Sequence, residues 1–460
     1  MNLKSLYWRY FEKMKQLNRI MGEVAEYVYA ILCLLKLYVW DRANEDSTRC
    51  RKACYDILFI SYFSYPYASD YGTQRINKFI KYLNECGLSQ ILVTTKPRSG
   101  RILDDSINEL PENILVVRTP EMAATELRRK KVLVPDDYIT WFRTCRKEIE
   151  NILRHGSVSV LFATAPPYTN LLIGCYISCK YGIPIICDFR DPWNKIDVST
   201  WGMRGNIRKL LNAKLERFVL KVSKYVIMAD NETYYREYFL CSRSLENKIV
   251  GILNGYDEDD FARIEGVVKR DDRQLTISLV GNIYSENSVT YICNGFNLLK
   301  IKRPDIFHKV VLEYAGPASH HMRRISNEVG VKVVDHGYVS HEEAIKVRMR
   351  SDLQIFVQPE NFKTHVMSGK IYEMIRTPVP IMALVSEGSE VARLIRETNT
   401  GEAVGQWDSS KFAESIVRVY EWRAQGRYEH SPNWKAIEKY SRRDQGKKLY
   451  ALIAEFRNHR

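Results

Sequence analysis

Two α/β domains in tandem, each built on a parallel sheet, are the fold this sequence predicts. A chain of 460 residues is too long for one ordinary core. Its 45% hydrophobic and 12% aromatic content excludes a mainly disordered polymer. Most telling, short runs rich in β-branched residues alternate with helical patterns in two successive series, the second beginning near residue 250.

The first series opens at Tyr55 with the continuous apolar run YDILFISYF, followed by the loop SYPYASDYGTQ, a helical pattern from Arg75 to Cys86, and the strand LSQILVTT. A helix over 137–155 leads to the strand VSVLFATA, then Pro166 and Pro167, a helix over 169–181 and the strand PIICDF. Ile207, Leu210, Leu211, Leu215, Phe218, Val219 and Val222 recur at helical spacing before the strand YVIMAD.

The second series starts at NKIVGILNGYD. Its strands read LTISLVGNIY, KVVLEYAG, KVVDHGYV, LQIFVQP and VPIMALV. Helices fall over 289–300, over HEEAIKVRMRSD after the cap Ser340, and from Ser368 to Arg376. The expected division is an N-terminal helical extension over 1–52, a first domain over 53–249, a second over 250–430 and a C-terminal helical segment over 431–460. Periodicity leaves open whether that last segment crosses back to the first domain.

Residues 27–40 (YVYAILCLLKLYVW) hold one charge, Lys36, and follow Arg9, Lys13, Lys15 and Arg19. The run is short for a membrane span, which needs about 20 residues. It lies too far in for a secretory signal. Two readings stay open for residues 24–40: a helix packed on the first domain, or one lying in a membrane interface with its Tyr and Trp residues at the edges.

The net charge of +14 is dispersed, with clusters near both termini and over 204–224. No nucleic-acid-binding signature accompanies it, which ranks that partner last. The bases over 204–224 read chiefly as a solvated outer face, and as contacts to anionic headgroups if the acceptor is lipid-borne. Of ten cysteines, the close pairs Cys50/Cys54 and Cys175/Cys179 lie apart from any clustered histidines, so free thiols in a reducing cytoplasm are expected. His320 and His321, lacking a third ligand in sequence, read as surface polar residues, and His341 as structural.

In open α/β sheets ligands bind beyond the carboxyl ends of the strands. In the first domain this selects Ser64 to Thr73, Thr164 to Thr169 and DFRDPW, with Asp188, Arg190 and Asp191 crowded at one strand end. In the second it selects Gly281, Asn282, Gly337, Tyr338, Val339 and the stretch SGKIYEM. Ser368 and Gly369 open a helix there, whose unpaired amides suit an anion. Lys370 is poorly placed for the helix dipole unless a polyanion is bound beside it. Glu373 shares its face at i,i+3 and suits a pair of ribose hydroxyls, although a solvated Lys-Glu pair has the same spacing. No GxGxxG follows the first strand, which weakens a dinucleotide reading.

Over residues 55 to 455 the chain resembles the nucleotide-sugar-dependent glycosyltransferases of family four, with the GT-B architecture of two Rossmann-like domains facing a cleft. The resemblance is carried by Gly72 and Arg75, TAPPYTN, PIICDFRDPW, NGYDEDDF, SLVGNIY, HGYVSHEEA and SGKIYEMIRTPVPIM, in that order. It implies that Gly337 to Val339 read the nucleobase through backbone atoms, that Lys370 faces the diphosphate near Gly281 and Asn282, and that Glu373 holds the ribose. It implies further that Gly72, Arg75, Asp188, Arg190, Asp191 and Trp193 face the acceptor, with Trp193 as an apolar platform. Lys370, Glu373 and Asp191 are the catalytic assignments.

Two positions depart from the family pattern. His365 stands where the first glutamate of a paired motif is usual, and the loop GNIYSENS lacks the usual bases. Membership implies retention of anomeric configuration, no metal and no bound cofactor, with a UDP- or GDP-linked sugar as co-substrate. The expected acceptor is a glycan or lipid-linked glycan in surface polysaccharide synthesis at the cytoplasmic membrane face. An epimerase of the same fold, or a membrane-associated scaffold without a donor site, are the alternatives.

Overall fold

A computed structural model describes residues 55–67, 71–97, 110–120, 134–191, 193, 202–230, 245, 247–264, 274–283, 285–358, 367–405, 408–426 and 430–457, with Met21, Val28, Tyr29, Ile31 and Cys33. They form two compact units. One holds the described residues up to Ile252 together with the chain from Lys447, and the other runs from Leu253 to Gly446.

The first unit is a seven-stranded sheet of β1 (Tyr55–Ile60), β2 (Gln90–Thr95), β3 (Leu115–Thr119), β4 (Val158–Ala165), β5 (Ile185–Phe189), β6 (Tyr225–Met228) and β7 (Ile249–Gly251). The order is β3-β2-β1-β4-β5-β6-β7, and every pairing is parallel. Helices α1 (Tyr71–Glu85), α2 (Phe142–His155), α3 (Thr169–Tyr181) and α4 (Gly202–Val222) connect the strands. All residues of β2 and β5 are buried, because apolar clusters cover both faces of the sheet. That double cover is why these strands read as unbroken apolar runs rather than alternating ones.

β7 departs from expectation. Residues 249–251, expected at the start of the second series, end the first sheet instead, with Ile249 paired to Val226. At the opposite edge, β3 has Leu115 41% exposed and is not evident as a strand from the sequence.

The second unit contains α5 (Glu258–Ala262), β8 (Leu275–Val280), α6 (Glu286–Lys302), α7 (Pro304–Phe307), β9 (Val310–Ala315), α8 (Ser319–Val329), β10 (Lys332–Asp335) and α9 (His341–Met349). It continues with β11 (Leu353–Val357), α10 (Lys370–Arg376), β12 (Ile381–Leu384), α11 (Glu390–Thr398), β13 (Gly401–Val404), α12 (Ser409–Ala424) and α13 (Trp434–Glu438). Its six strands are all parallel in the order β10-β9-β8-β11-β12-β13. Ser340 caps α9 as its sequence implies, its hydroxyl accepting from the Glu343 amide at 3.3 Å.

The last helix, α14 (Arg442–Arg457), begins in the second unit and ends in the first. Leu449 and Ile453 are fully buried in the cluster that contains Ile57 and Phe59 of β1. Arg457 Nε lies 3.2 Å from Asp56, and Tyr225 donates to Glu455 at 2.5 Å.

Of the N-terminal run, Tyr29 and Cys33 pack on the first core, and the guanidinium groups of Arg143 and Arg146 lie 5.1 and 5.4 Å from the Tyr29 ring. The rest of the 24–40 assignment, apart from Val28 and Ile31, lies outside the described residues. No helix among the described residues is long and apolar enough to cross a membrane.

Candidate functional site

Strand order reverses between β8 and β11, and at such a switch point the carboxyl ends of two strands leave a crevice. Gly281 turns out of β8 with φ +105°, a conformation that favours glycine. A Cβ there would lie 2.3 Å from Lys370 Nζ, and one on Gly316 would lie 2.4 Å from the Gly281 carbonyl oxygen. Backbone from β8 and β9 therefore closes on the lysine at the start of α10. Lys370 Nζ donates a long hydrogen bond, 3.4 Å, to the Asn282 carbonyl.

Lys370 is half-buried and its surroundings are rich in charge. Its pKa is lowered to about 8, first by burial and then by Arg348, against the pull of Glu373. Glu373 is buried, with Arg348 Nε 4.0 Å from one carboxylate oxygen and His341 Nδ1 3.8 Å from the other. The far nitrogen of His341 lies 3.4 Å from Asp260. An imidazole thus stands between two carboxylates, while Arg348 faces the other oxygen of Glu373 and Lys370 feels its charge.

Other expected donor contacts sit at the same sheet edge. Gly337 has φ +64°, its amide donates to Asp335 at 2.9 Å, and its carbonyl accepts from Gly316 at 2.7 Å. Tyr338 is 52% exposed and Val339 half-buried. Helix α10 has only seven residues and starts at Lys370, so Ser368 and Gly369 precede it and its dipole is small. His365 lies outside the described residues.

In the first unit the charged strand end sorts into different roles. Arg75 and Asp188 are buried and bonded to each other, with Nη2 to Oδ1 at 2.7 Å and Nε within 3.2 Å of both oxygens. Thr164 donates to Asp188 at 2.7 Å, and Arg75 donates to the Ile252 carbonyl at 2.7 Å. The expectation that Arg75 and Asp188 face an acceptor gives way to an internal tie between α1, β5 and the end of the unit.

Trp193 is corrected likewise. It is fully buried and stacked on Tyr168, with ring centroids 4.6 Å apart and planes 10° from parallel, so it offers no open platform. Arg190 is half-buried, donates to the carbonyls of Ala165 and Pro166, and lies so close over Gly72 that a Cβ there would meet it at 1.4 Å. Asp191 is exposed.

Arg348 and Asp260 have no place in the sequence-based site. Arg348 follows His341 by seven residues in one helix and so shares its face, a spacing that marks it. His321, expected at the surface, is buried; burial and His320 lower its pKa. It stands with His320 and Glu286, their ligand atoms within 4.8 Å of one another, but Arg324 already holds Glu286 at 2.8 Å.

No protein-family model matches the sequence, and neither does any curated protein. Solved structures do match, and they establish the fold as GT-B, an α/β architecture with two Rossmann-like halves. Sucrose-phosphate synthase from Thermosynechococcus elongatus is similar over 88% of this chain and 99% of its own, at 12% identity and TM-score 0.61. A glycosyltransferase from Rickettsia africae matches over 88% and 99%, at 15% identity and TM-score 0.55. The Anabaena protein HepE, solved with UDP and glucose, matches over 87% and 99%, at 12% identity and TM-score 0.54.

Proposed function

We propose that this chain is a retaining glycosyltransferase that moves a hexosyl group from a UDP- or GDP-linked donor to a glycan or lipid-linked glycan. One observation carries the reading. A lysine with a lowered pKa is held over a glycine of positive φ at the switch point of the second sheet, beside buried Arg348 and Glu373. Two partly desolvated cations with one carboxylate between them favour a polyanion, and a nucleoside diphosphate meets that need.

In this reading the bond that breaks joins the anomeric carbon to an oxygen of the β-phosphate, and negative charge develops on that oxygen. Lys370 and Arg348 offset it without a metal, while Glu373, steadied by His341, accepts from the ribose hydroxyls. The Gly281 turn gives the diphosphate close access to backbone, and the backbone of Gly337 to Val339 meets the base. In the first unit Arg190 and Asp191 remain as acceptor contacts, Asp191 being the exposed carboxylate at its strand end, while Gly72 is buried beneath Arg190 and gives way as a contact. A role in surface polysaccharide assembly at the cytoplasmic membrane face completes the proposal.

The test is calorimetric titration of the protein with UDP, GDP and ADP, without added metal, on wild type and Lys370→Ala. Binding of one nucleotide, weakened in the variant, is expected. No binding to folded protein, or equal binding by the variant, would remove the reading.

A further inference from the structure

Helix α4 presents two kinds of surface in series along one side. Ile207, Leu210 and Leu211 are 55%, 59% and 42% exposed, and their i, i+3, i+4 spacing gathers them into one patch. Continuing along the same side come Lys214, Arg217 and Lys221, all exposed. The inner side holds Asn212, Glu216, Val219 and Leu220, all buried. Glu216 is the acid among residues 206–222, so the outward side carries bases and no exposed carboxylate.

Branched aliphatics left together in water mark a surface that something covers. The basic run beside them selects an occupant with dense negative charge next to a hydrocarbon layer. We propose that this side of α4 seats on an anionic lipid bilayer, with Ile207, Leu210 and Leu211 in the acyl boundary and Lys214, Arg217 and Lys221 on the headgroups.

The topology gives the seating a direction. The chain enters α4 from the carboxyl end of β5 and leaves it for the start of β6, so the apolar end of the helix lies toward the edge that holds Arg190 and Asp191. A lipid-borne acceptor would enter the first unit beside that end. The delivery of an acceptor rests on the glycosyltransferase reading; the seating itself does not.

The experiment is sedimentation of the full chain with vesicles of phosphatidylcholine alone or of equal parts phosphatidylcholine and phosphatidylglycerol. Wild type is compared with Ile207→Ser/Leu210→Ser/Leu211→Ser and with Lys214→Glu/Arg217→Glu/Lys221→Glu. These exposed positions leave the core untouched, which circular dichroism and melting check, and UDP titration of the same variants reads the second unit independently.

Anionic vesicles should bind wild type and neutral ones should not. Each base near such a surface contributes about fivefold to partitioning, so the triple reversal should lose at least about 100-fold. The serine variant should also lose binding, which bases acting alone would not require. Wild-type binding by both variants, or none by wild type, overturns the proposal. So does self-association of wild type without lipid that the serine variant abolishes, since the patch would then be covered by a second copy.

Discussion

Replacing Lys370 with methionine should make the protein more stable and a poorer nucleotide binder. Burial holds the folded-state pKa near 8 against an ordinary 10.5, with Arg348 lowering it further and Glu373 opposing. Each pH unit of lowering corresponds to about 1.4 kcal/mol, so keeping the ammonium charged at pH 7 costs the folded state on the order of 3 kcal/mol. Methionine keeps most of the aliphatic stem over Gly281 and removes the charge. It forfeits the 3.4 Å bond to Asn282 and some packing of the stem, leaving a net gain of about 1–2 kcal/mol. For a unit of this size that is a rise of about 2–8 °C in Tm.

The pH dependence gives the sharper check. Below pH 8 the lysine is protonated in both states and the folded protein bears the full cost. Between 8 and 10.5 the unfolded chain holds more protons, so wild-type stability rises with pH and the gap to the variant closes. Scanning calorimetry at pH 7, 9 and 10.5 reads this directly. UDP titration of the same samples should show about a 10- to 100-fold loss in the variant, the worth of a charge-assisted hydrogen bond. Wild-type affinity should itself fall as pH rises through about 8. A lower Tm for Lys370→Met at pH 7, or a gap that does not change with pH, would refute the burial argument.

Asp188→Ala leaves the Arg75 guanidinium buried without its main partner and should destabilise the first unit by about 3–5 kcal/mol in denaturant titration, a shift under 1 kcal/mol counting against the internal tie. His341→Ala should weaken UDP about tenfold through the loosened Glu373 carboxylate. Inorganic pyrophosphate, which has no ribose, should bind the His341 variant as it binds wild type; equal losses for both would move His341 to the phosphate side.

What the sequence disclosed follows from where each signal arises. β2, β5 and β12 were plain because burial on both faces writes an apolar run into consecutive residues. β3 and β7 stand at edges, one half exposed and the other three residues long, and leave little trace. The sequence selects Gly281 and Lys370, which the structure brings together, because strand ends in a doubly wound sheet are few and their residues consecutive. Arg75 and Asp188 were misassigned for the opposite reason. They are 113 residues apart, and nothing local tells two charges that they neutralise each other. The flanks of Glu373 come from α5 and α9, elements whose convergence only the folded chain reveals.

The return of α14 to the first unit has a consequence for synthesis. Leu449 and Ile453 complete a cluster that begins at Ile57, and Arg457 meets Asp56 in the first strand. A ribosome delivers those partners nearly 400 residues apart, with the whole second unit emerging in between. The half of the molecule made first is thus completed only after the second unit has emerged, its apolar bed for α14 waiting on Leu449 and Ile453. A nonsense mutation within the final turns would leave the second unit whole and expose the oldest part of the chain to chaperones and proteases.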